Sequence, residues 1–290
     1  MTIAAGFVVR DGILICSDSE HSSGGILTHE PKLVLAEFSS GKVIFASAGN
    51  ADLAVGAIQK CVRALQSARG GRIKSDKDIA DIIEKTVERE YRKHVSAEPD
   101  PNADSMYEIL AAVWCEKDPG KQAALYRTWQ GSIRKVSRYD CIGSGYYLGR
   151  YVIESMAGAV DIERARVVAT YTLAIAKQFV DGCGGNSHIA SLKNDGTVIG
   201  LSGPDTEPLE QALGTFHERT TRLLFSLLTS NDAGFAMALS DFDHDLRELR
   251  MGLGLDENSK QAAKEEMESL LTTIRGESTP QSATRGPERE

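Results

Sequence analysis

The sequence predicts an α+β fold, because runs with the periodicity of strands and segments with the periodicity of helices follow each other in separate groups. Short apolar runs divided by turn residues occupy residues 2–48, 107–139 and 188–202. Between and after these groups, apolar residues recur every three or four positions, which is the spacing of an amphipathic helix. The predicted order is therefore strands, two helices, strands, two helices, strands and then a helical extension.

The first two strands form a predicted hairpin. Apolar runs at 2–9 and 13–16 flank Asp11-Gly12, which is a strong signal for a tight turn. A hairpin returns the end of its second strand to the start of its first. We therefore expect Asp18 to lie near Thr2.

Two further strands are predicted at 31–35 and 42–46, with a turn at 39–41 between them. Lys32 stands at the start of the first of these strands. Threonine, aspartate and lysine side chains at the ends of successive strands can converge at one end of a sheet. Lys32 is therefore a candidate neighbour of Thr2.

The other elements of the first domain follow in the order given above. Predicted helices cover 51–68, 75–95, 146–156 and 162–180, and predicted strands cover 107–115, 123–129, 132–139, 188–193 and 198–202.

Residues 1–203 are interpreted as one domain, and residues 204–275 as a helical extension. Apolar stripes predict that the extension contains helices at 207–228, 234–253 and 259–274. The tail at 276–290 is rich in serine, threonine, proline and charged residues, which is typical of a disordered segment. The extension is either a packing appendage or an assembly element.

Composition narrows the class of protein. The net charge of −8 argues against general nucleic-acid binding, and no apolar run is long enough for a membrane-spanning helix. The five cysteines are irregularly spaced, and the six histidines lack the spacing of metal ligands. The start of the chain lacks the basic and apolar regions of a signal peptide. We expect a cytoplasmic protein with reduced thiols, no membrane segment and no metal site.

Thr2 is the strongest candidate for chemistry. Removal of Met1 would leave an N-terminal threonine, which carries a hydroxyl nucleophile and a free amine on one residue. The amine can act as the base that activates the hydroxyl, since its ordinary pKa of roughly 7.7–8.0 leaves a neutral fraction near pH 7. Met-Thr is also a common start of a chain, so the assignment depends on the residues that surround Thr2.

Short motifs along residues 2–200 occur in a characteristic order. They are Thr2, Asp11-Gly12, Ser17-Asp18-Ser19, Lys32-Leu33, Gly41, Ala46-Ser47-Ala48-Gly49-Asn50-Ala51-Asp52, Gly143-Ser144-Gly145, Asp181-Gly182-Cys183-Gly184-Gly185 and Ser187-His188-Ile189-Ala190. This series resembles the proteasome β-subunit family, including the HslV-type peptidases, which are N-terminal-nucleophile hydrolases. The resemblance implies a four-layer αββα sandwich, to which the C-terminal helical extension is an addition.

The resemblance also implies roles for individual residues. Thr2 would be the nucleophile, and Lys32 would lower the pKa of its amine through the proximity of a like charge. Asp18 would pair with Lys32 and hold it in place. Ser144 and Asp181 would position the N-terminal amine and a water molecule. No metal or organic cofactor is implied for this chemistry.

Two neighbours of the substrate are implied in the strand that follows Gly41. The oxyanion donor would be the backbone N–H of Ala46, at a position where the family commonly has glycine. Ile44 would lie beside the specificity pocket, which weakly favours apolar substrate side chains.

The chain departs from the family pattern in two places. The loop at 20–31 is shorter than usual, and so is the segment after Asp181. Cys183 stands where the family usually has a serine before the glycine pair. Cys183 either replaces the small polar group of that serine with a weaker S–H donor or leaves the charge relay impaired.

The predicted function is a threonine-type peptidase that cleaves peptide bonds through an acyl-enzyme on Thr2. Its substrate would be a peptide or an unfolded protein. The resemblance further implies a homo-oligomer, as a ring or a helical stack, with an ATP-dependent unfoldase as a candidate partner. Two alternatives stay open. One is a catalytically inactive scaffold subunit of the same fold, and the other is a non-proteolytic amidohydrolase or peptide ligase.

Overall fold

The computed structural model describes residues 2–23, 26–68, 72–96, 106–155, 161–229 and 231–252. In these ranges the chain forms twelve strands and six helices. The strands are β1 (Ala4–Val9), β2 (Gly12–Ser17), β3 (Glu20–Ser23), β4 (Ile26–His29), β5 (Leu33–Phe38), β6 (Gly41–Gly49), β7 (Tyr107–Cys115), β8 (Ala124–Trp129), β9 (Ser132–Val136), β10 (Tyr139–Ile142), β11 (His188–Lys193) and β12 (Val198–Leu201). The helices are α1 (Ala51–Ser67), α2 (Asp76–His94), α3 (Tyr146–Ser155), α4 (Ile162–Phe179), α5 (Gly203–Thr229) and α6 (Asp232–Gly252). The predicted α+β class is confirmed.

The N-terminal hairpin lies inside an antiparallel five-stranded sheet with the order β10-β1-β2-β11-β12, called the first sheet below. β1 and β2 pair from Val9 opposite Gly12 to Ala4 opposite Ser17, as the Asp11-Gly12 turn predicts. Nearly every side chain of these two strands is buried, because the sheet is covered on both faces. The pairing leaves the residues just before β1 beside those just after β2.

The second sheet is also antiparallel and has the order β5-β6-β7-β8-β9. Helix α1 begins directly after β6, where the Asn50 side chain accepts from Leu53 N at 3.0 Å. Helix α2 begins at a capping box formed by Ser75 and Asp78. These caps fix where the helices start, and the cap at Asn50 also fixes where β6 ends.

Among the residues that the structure describes, apolar side chains form three buried clusters. One lies between the second sheet and helices α1 and α2, and includes Phe45 and Ile83. Another lies between the first sheet and helices α3 and α4, and includes Leu173. The third joins the facing sides of the two sheets and includes Ile15 and Leu110. Burial of each such side chain stabilises the fold by about 1.5–3 kcal/mol, so the three clusters hold the sheets and helices together.

The predicted strand at 132–139 is wrong in its second half. β9 ends at Val136, and β10 is a separate strand that pairs with β1 in the first sheet. The chain therefore crosses from the second sheet to the first at residues 137–138. The predicted strand is broken because its second part pairs with β1. Val8 N extends this pairing by donating to Arg138 O at 2.7 Å. A second difference lies at 20–31, where the predicted loop contains the ribbon of β3 and β4.

Helix α5 begins at Gly203, earlier than the predicted start at 207. Ser202 and Asp205 form its cap, with Asp205 Oδ2 accepting from Ser202 N and Oγ at 3.2 Å each. One compact unit extends to His217, beyond the predicted domain boundary at 203, and the next unit begins at Glu218. The difference arises because the first half of α5 binds to the core. Glu210 accepts from Lys177 at 2.8 Å and from Ser187 at 2.6 Å.

The second predicted extension helix, at 234–253, corresponds to α6. The third, at 259–274, and the predicted disordered tail at 276–290 lie outside the described residues. None of the helices within the described ranges has the length and apolar character that a membrane span requires.

Candidate active site

Thr2 lies in the core, just before β1, and its exposed fraction is 3%. Its Oγ1 donates to Asp18 Oδ1 at 2.9 Å, and the backbone N–H of Ile3 donates to the same oxygen at 3.2 Å. Asp18 N in turn donates to Ile3 O at 3.2 Å. The hairpin thus brings Asp18 against Thr2, as its geometry predicts.

Lys32 completes a buried ion pair with Asp18. Its Nζ lies 2.7 Å from Asp18 Oδ1, and the two side chains are 2% and 0% exposed. Burial lowers the pKa of Lys32 from its ordinary value of 10.5, and the neighbouring Asp18 carboxylate opposes this shift. Because Thr2 Oγ1 and Lys32 Nζ share one carboxylate oxygen, the hydroxyl and the ammonium are near neighbours.

The loop at Gly143–Gly145, called the serine loop below, holds the backbone of Thr2. Thr2 N donates to Ser144 Oγ at 3.1 Å, and both Ser144 Oγ and Gly145 N donate to Thr2 O at 3.2 Å. Thr2 N is here the amide that joins it to Met1, and it stands in for the α-amino nitrogen of the processed chain. Ser144 is therefore placed to hold that nitrogen.

Cys183 lies beside Ser144 and is buried. Its Sγ is 3.9 Å from Ser144 Oγ, within the range of a weak sulfur hydrogen bond. Burial raises the pKa of the Cys183 thiol to about 11, and the nearby Asp18 carboxylate adds to the rise. The next residue reaches the ion pair, since Gly184 N donates to Asp18 Oδ2 at 3.1 Å.

Asp181 does not join this cluster. It is exposed in the turn after α4, and within the described part of the chain no hydrogen bond joins it to Thr2 or Ser144. Cys183 N donates to Val180 O at 3.1 Å, and this turn directs Cys183 inward, two positions after Asp181. The shortened segment thus places Cys183, and not Asp181, next to Ser144. The role that the resemblance implies for Asp181 stays a prediction.

The residues predicted to contact substrate lie in β6. Ala46 is buried and pairs with Leu33 on one side and Leu110 on the other. Ile44 is 1% exposed and belongs to the cluster between the two sheets. Among the described strands, β5 pairs no further than Leu33, and the end of β6 is paired with β7.

The end of β6 is nevertheless close to Thr2. A Cβ atom built on Gly143 would lie 2.3 Å from Thr2 O and 3.0 Å from Ala48 Cβ. Gly143 also has φ of +90°, a conformation that side chains with a Cβ rarely adopt. Glycine at this position thus permits Thr2, the serine loop and β6 to meet.

Sequence reasoning missed the backbone donor at Gly184. Its N–H satisfies the second oxygen of Asp18, while its carbonyl accepts from Ser19 N at 3.2 Å and Glu20 N at 3.1 Å. The glycine pair at 184–185 is the signal for such a close approach. Gly185 has φ of +69°, and a Cβ atom built there would lie 2.4 Å from Ser19 Oγ. Glycine at 185 thus permits the segment to pack against Ser19, next to Asp18.

The protonation state of Cys183 leads to a prediction about its reactivity. With a pKa of about 11, only about one thiol in a thousand is ionised at pH 8, and the thiolate is the form that iodoacetamide alkylates. We expect Cys183 to remain unlabelled in folded protein under conditions that alkylate glutathione fully, and to react after unfolding in urea. Peptide mass spectrometry measures the extent. Labelling of folded Cys183 at the rate of glutathione would contradict a buried thiol with a raised pKa.

Comparisons with known proteins bear on the fold. No protein-family model and no curated protein matches the chain. Solved structures do match it. The Anbu (Gly-1) mutant from Hyphomicrobium sp. strain MC1 aligns with a TM-score of 0.66 at 13% identity, over 80% of this chain and 100% of that chain. Anbu, described as an ancestral beta-subunit, from Yersinia bercovieri aligns with a TM-score of 0.63 at 15% identity, over 79% of this chain and 98% of that chain.

A third solved structure is described as the helical assembly of the Anbu complex from Pseudomonas aeruginosa. It aligns with a TM-score of 0.65 at 13% identity, over 80% of this chain and 99% of that chain. At these identities the likeness concerns the fold alone. The mixed α+β architecture and these neighbours fit a fold of the N-terminal-nucleophile type, in which fold alone does not decide activity.

Proposed function

We propose that the chain is a threonine-type N-terminal-nucleophile hydrolase, which cleaves peptide bonds through an acyl-enzyme on Thr2 after Met1 is removed. One observation carries the proposal. Thr2 Oγ1 and Lys32 Nζ lie on the same oxygen of Asp18, while Thr2 N lies on Ser144 Oγ. The Thr2 hydroxyl, the Lys32 ammonium and the Thr2 α-nitrogen are therefore held together in a buried site. Such an arrangement activates a threonine hydroxyl as a nucleophile.

In the first half of the proposed reaction, the neutral amine of Thr2 takes the proton from Oγ1, and Oγ1 forms a bond to the carbonyl carbon of the substrate. The C–N bond then breaks, and the leaving nitrogen receives the proton from the amine. The product is an ester on Thr2. In the second half, water attacks the ester carbon while the amine takes its proton, and Oγ1 leaves with that proton.

The charges around Thr2 suit this sequence. The Lys32 ammonium lowers the pKa of the amine by like-charge repulsion, so that the amine is neutral and can act as a base near pH 7. Asp18 keeps Lys32 in place, and its four donors are Thr2 Oγ1, Ile3 N, Lys32 Nζ and Gly184 N. Ser144 Oγ holds the amine, and Cys183 supports Ser144.

The proposal also includes the order of the layers in the fold, the groups that would bind substrate, and the substrate itself. The three apolar clusters support a four-layer αββα arrangement, in which a substrate carbonyl would bind near the end of β6. Backbone N–H groups of the segment that begins at Ala46 are candidates for the oxyanion donor, which is typically worth about 3–4 kcal/mol of the barrier. The substrate would be a peptide or unfolded protein in the cytoplasm, with an unfoldase as a candidate partner.

The test is a mass measurement of the purified protein before and after reaction with a peptide epoxyketone. This class of reagent forms a ring with both the hydroxyl and the α-amine of an N-terminal threonine. We expect the intact mass to lack Met1 and one adduct to map to Thr2. Retained Met1, or a processed chain without an adduct, would reject the mechanism.

A scaffold subunit without activity is the second candidate. Asp181 is exposed, and in the described part of the chain the hydrogen bonds of Ser144 Oγ run to Thr2 and Cys183 and not to a carboxylate. This arrangement favours the scaffold. In this case the processed or unprocessed chain would assemble normally, and the Thr2→Ala variant would perform the cellular role unchanged.

We also propose that the chain forms a homo-oligomer. The second half of α5 carries the exposed apolar residues Leu224, Phe225, Leu227 and Leu228. A helix segment that is apolar on nearly all sides is normally buried, and exposed patches of this kind mark interaction sites. The proposed occupant is a second copy of the chain, as in the neighbour described as a helical assembly.

Substitution in this patch is expected to reduce the size of the assembly. Phe225 and Leu228 are 62% and 74% exposed, so aspartate at both positions should leave the folded protomer intact while it disfavours burial against a second copy. Native mass spectrometry measures the assembly. Glu218→Lys, which changes an exposed polar position of the same helix, is the control. An unchanged mass for the double variant would exclude this patch as an interface.

A further inference from the structure

A group of partly buried charges joins the two sheets behind the serine loop. Arg127 on β8 donates from Nη1 to Asp140 Oδ1 on β10 at 2.9 Å, and from Nη2 to Glu108 Oε1 on β7 at 2.5 Å. β7 and β8 belong to the second sheet, and β10 belongs to the first. The Arg127 side chain is 13% exposed. One guanidinium thus fixes both sheets at the same place.

The carboxylates that bind Arg127 also bind the backbone near the serine loop. Asp140 Oδ1 accepts from Cys141 N at 3.0 Å, two residues before the first residue of the loop. Glu108 Oε2 accepts from Gly143 N at 3.5 Å, which is a long hydrogen bond to the first residue of the loop. Arg127 bridges these two carboxylates with one hydrogen bond to each, and these charge-assisted bonds restrict the positions of both carboxylates.

Arg127 also contacts the residue that follows the loop. The centre of its guanidinium lies 5.8 Å from the ring centroid of Tyr146, the first residue of α3. The ring of Trp129 lies 5.6 Å from the same group. Arg127 is therefore connected, directly or through a carboxylate, to Cys141 before the serine loop, to Gly143 in the loop and to Tyr146 after it.

The serine loop is rich in glycine, since Gly143 and Gly145 are two of its three residues, and glycine loses more conformational freedom on ordering than other residues. Helix α3 holds its carbonyls, because Gly143 O accepts from Tyr146 N at 3.1 Å and Gly145 O accepts from Gly149 N at 2.8 Å. Ser144 Oγ and Gly145 N make the hydrogen bonds that fix Thr2. The position of the Thr2 nitrogen therefore depends on the contacts of this loop with α3 and with Glu108.

We propose that Arg127 is a positioning residue for the N-terminal nucleophile, and that it acts through Glu108 and Asp140 on the serine loop. Its effect on catalysis rests on the proposed function of Thr2, whereas its effect on the loop does not. A lysine cannot replace it, because a single ammonium does not bind two carboxylates and an aromatic ring in the same fixed geometry.

The chain offers a matched control for this experiment. Arg134 on β9 also pairs with Asp140, through the other carboxylate oxygen, but its side chain is 59% exposed. Arg134→Met therefore removes one positive charge from the same network without removing the connection to Glu108 and Tyr146. Arg127→Met, Arg127→Lys and Arg134→Met form the set of variants.

Two measurements are made on each variant. The first is hydrogen exchange of the peptide that contains Gly143, Gly145 and Tyr146. The second is kcat and KM for a fluorogenic peptide. We expect Arg127→Met and Arg127→Lys to speed exchange in this peptide and to lower kcat by about 10- to 100-fold with little change in KM, since a displaced reacting group impairs the chemical step. Arg134→Met should match wild type in both.

The outcomes separate this inference from the proposed function. If wild type is inactive, the proposed function fails, while faster exchange confined to the serine-loop peptide still supports the positioning role. If the Arg127 variants match Arg134→Met in exchange, the inference is overturned.

A thermal melt of every variant identifies loss of fold. Glu108→Gln serves if Arg127→Met unfolds. It keeps the shape of the side chain but weakens its bond to Arg127, and it must also speed loop exchange. Exchange at the wild-type rate in a folded Glu108→Gln variant would overturn the inference as well.

Discussion

Thr2→Ala is expected to abolish peptide hydrolysis, with a fall in kcat of about 10⁴-fold or more, because the variant has no hydroxyl to form the acyl-enzyme. The fold should persist. Asp18 loses one of its four donors and keeps Ile3 N, Lys32 Nζ and Gly184 N, so the loss of stability is about 1 kcal/mol. A continuous fluorogenic assay measures kcat, and urea unfolding measures stability.

Thr2→Ser is the matched control for this variant. Serine keeps the hydroxyl and loses only the methyl group, and it should therefore retain activity that the alanine variant lacks. Activity of Thr2→Ala above that of a mock purification would show that another group performs the reaction. Equal loss in the serine and alanine variants would indicate that the methyl group, and not the nucleophile, is essential.

Lys32→Met is expected to have the second large effect, on both stability and activity. It leaves the Asp18 carboxylate buried at 0% exposure without its cation, and breaking a buried pair in this way typically costs about 3–5 kcal/mol. The free energy of unfolding of a typical domain is about 5–15 kcal/mol, so this loss is a large share of it. The comparison variant is Lys42→Met, whose partner Glu37 is 61% exposed and whose loss should cost less than about 1 kcal/mol.

The double variant Asp18→Asn with Lys32→Met separates the two effects. It removes both charges from the buried site, so part of the lost stability should return. Activity should not return, because the amine of Thr2 lacks the positive neighbour that lowers its pKa. Stability is measured by urea unfolding, and kcat by the fluorogenic assay. Recovery of kcat in the double variant would remove Lys32 from the mechanism.

Lys32 also gives a dependence of stability on pH. Its pKa is lowered by burial in the folded protein and returns to its ordinary value of 10.5 in the unfolded chain. Between these two values the unfolded chain binds more protons than the folded one, so that the free energy of unfolding rises with pH in this interval. Buried thiols such as Cys16, whose pKa burial raises to about 12, lower the stability of both proteins as the pH rises. Urea unfolding at several alkaline pH values should therefore show the contribution of Lys32 as a stability difference between wild type and Lys32→Met that grows with pH in this interval.

Local signals made the N-terminal part of the site predictable. The turn at Asp11-Gly12 is specified by residues adjacent in sequence, and the return of the hairpin then places Asp18 beside Thr2. Lys32 was a candidate because it stands at the start of a predicted strand, which in the structure is β5 of the second sheet, after β3 and β4. The approach of Asp18 to Thr2 needed no knowledge of contacts between residues distant in sequence, whereas that of Lys32 depends on how the two sheets meet.

Other features depend on tertiary contacts and could not be read from local pattern. The break between β9 and β10 is decided by pairing with β1, although the residues at 132–139 look like one strand. The exposed position of Asp181 is decided by the turn after α4, in which Cys183 N donates to Val180 O and Cys183 is directed inward. Arg127 follows Tyr126 and precedes Thr128 in β8, and an arginine is ordinarily exposed, yet its side chain is only 13% exposed because it binds carboxylates of both sheets.

Thr2 and Asp18 are bound by groups that are distant in the sequence, which are the serine loop and the glycine pair at 184–185. Thr2 and Ser144 are separated by 142 positions, and Asp18 and Gly184 by 166. Contacts of such separation form slowly, because the closure of a long loop must precede them. During synthesis, a chain that has emerged only as far as α2 already carries Thr2, Asp18 and Lys32 but lacks every group that holds the nitrogen. A nascent chain therefore has no complete site, and the hydrolytic competence that we propose can arise only after residue 184 has folded against the hairpin.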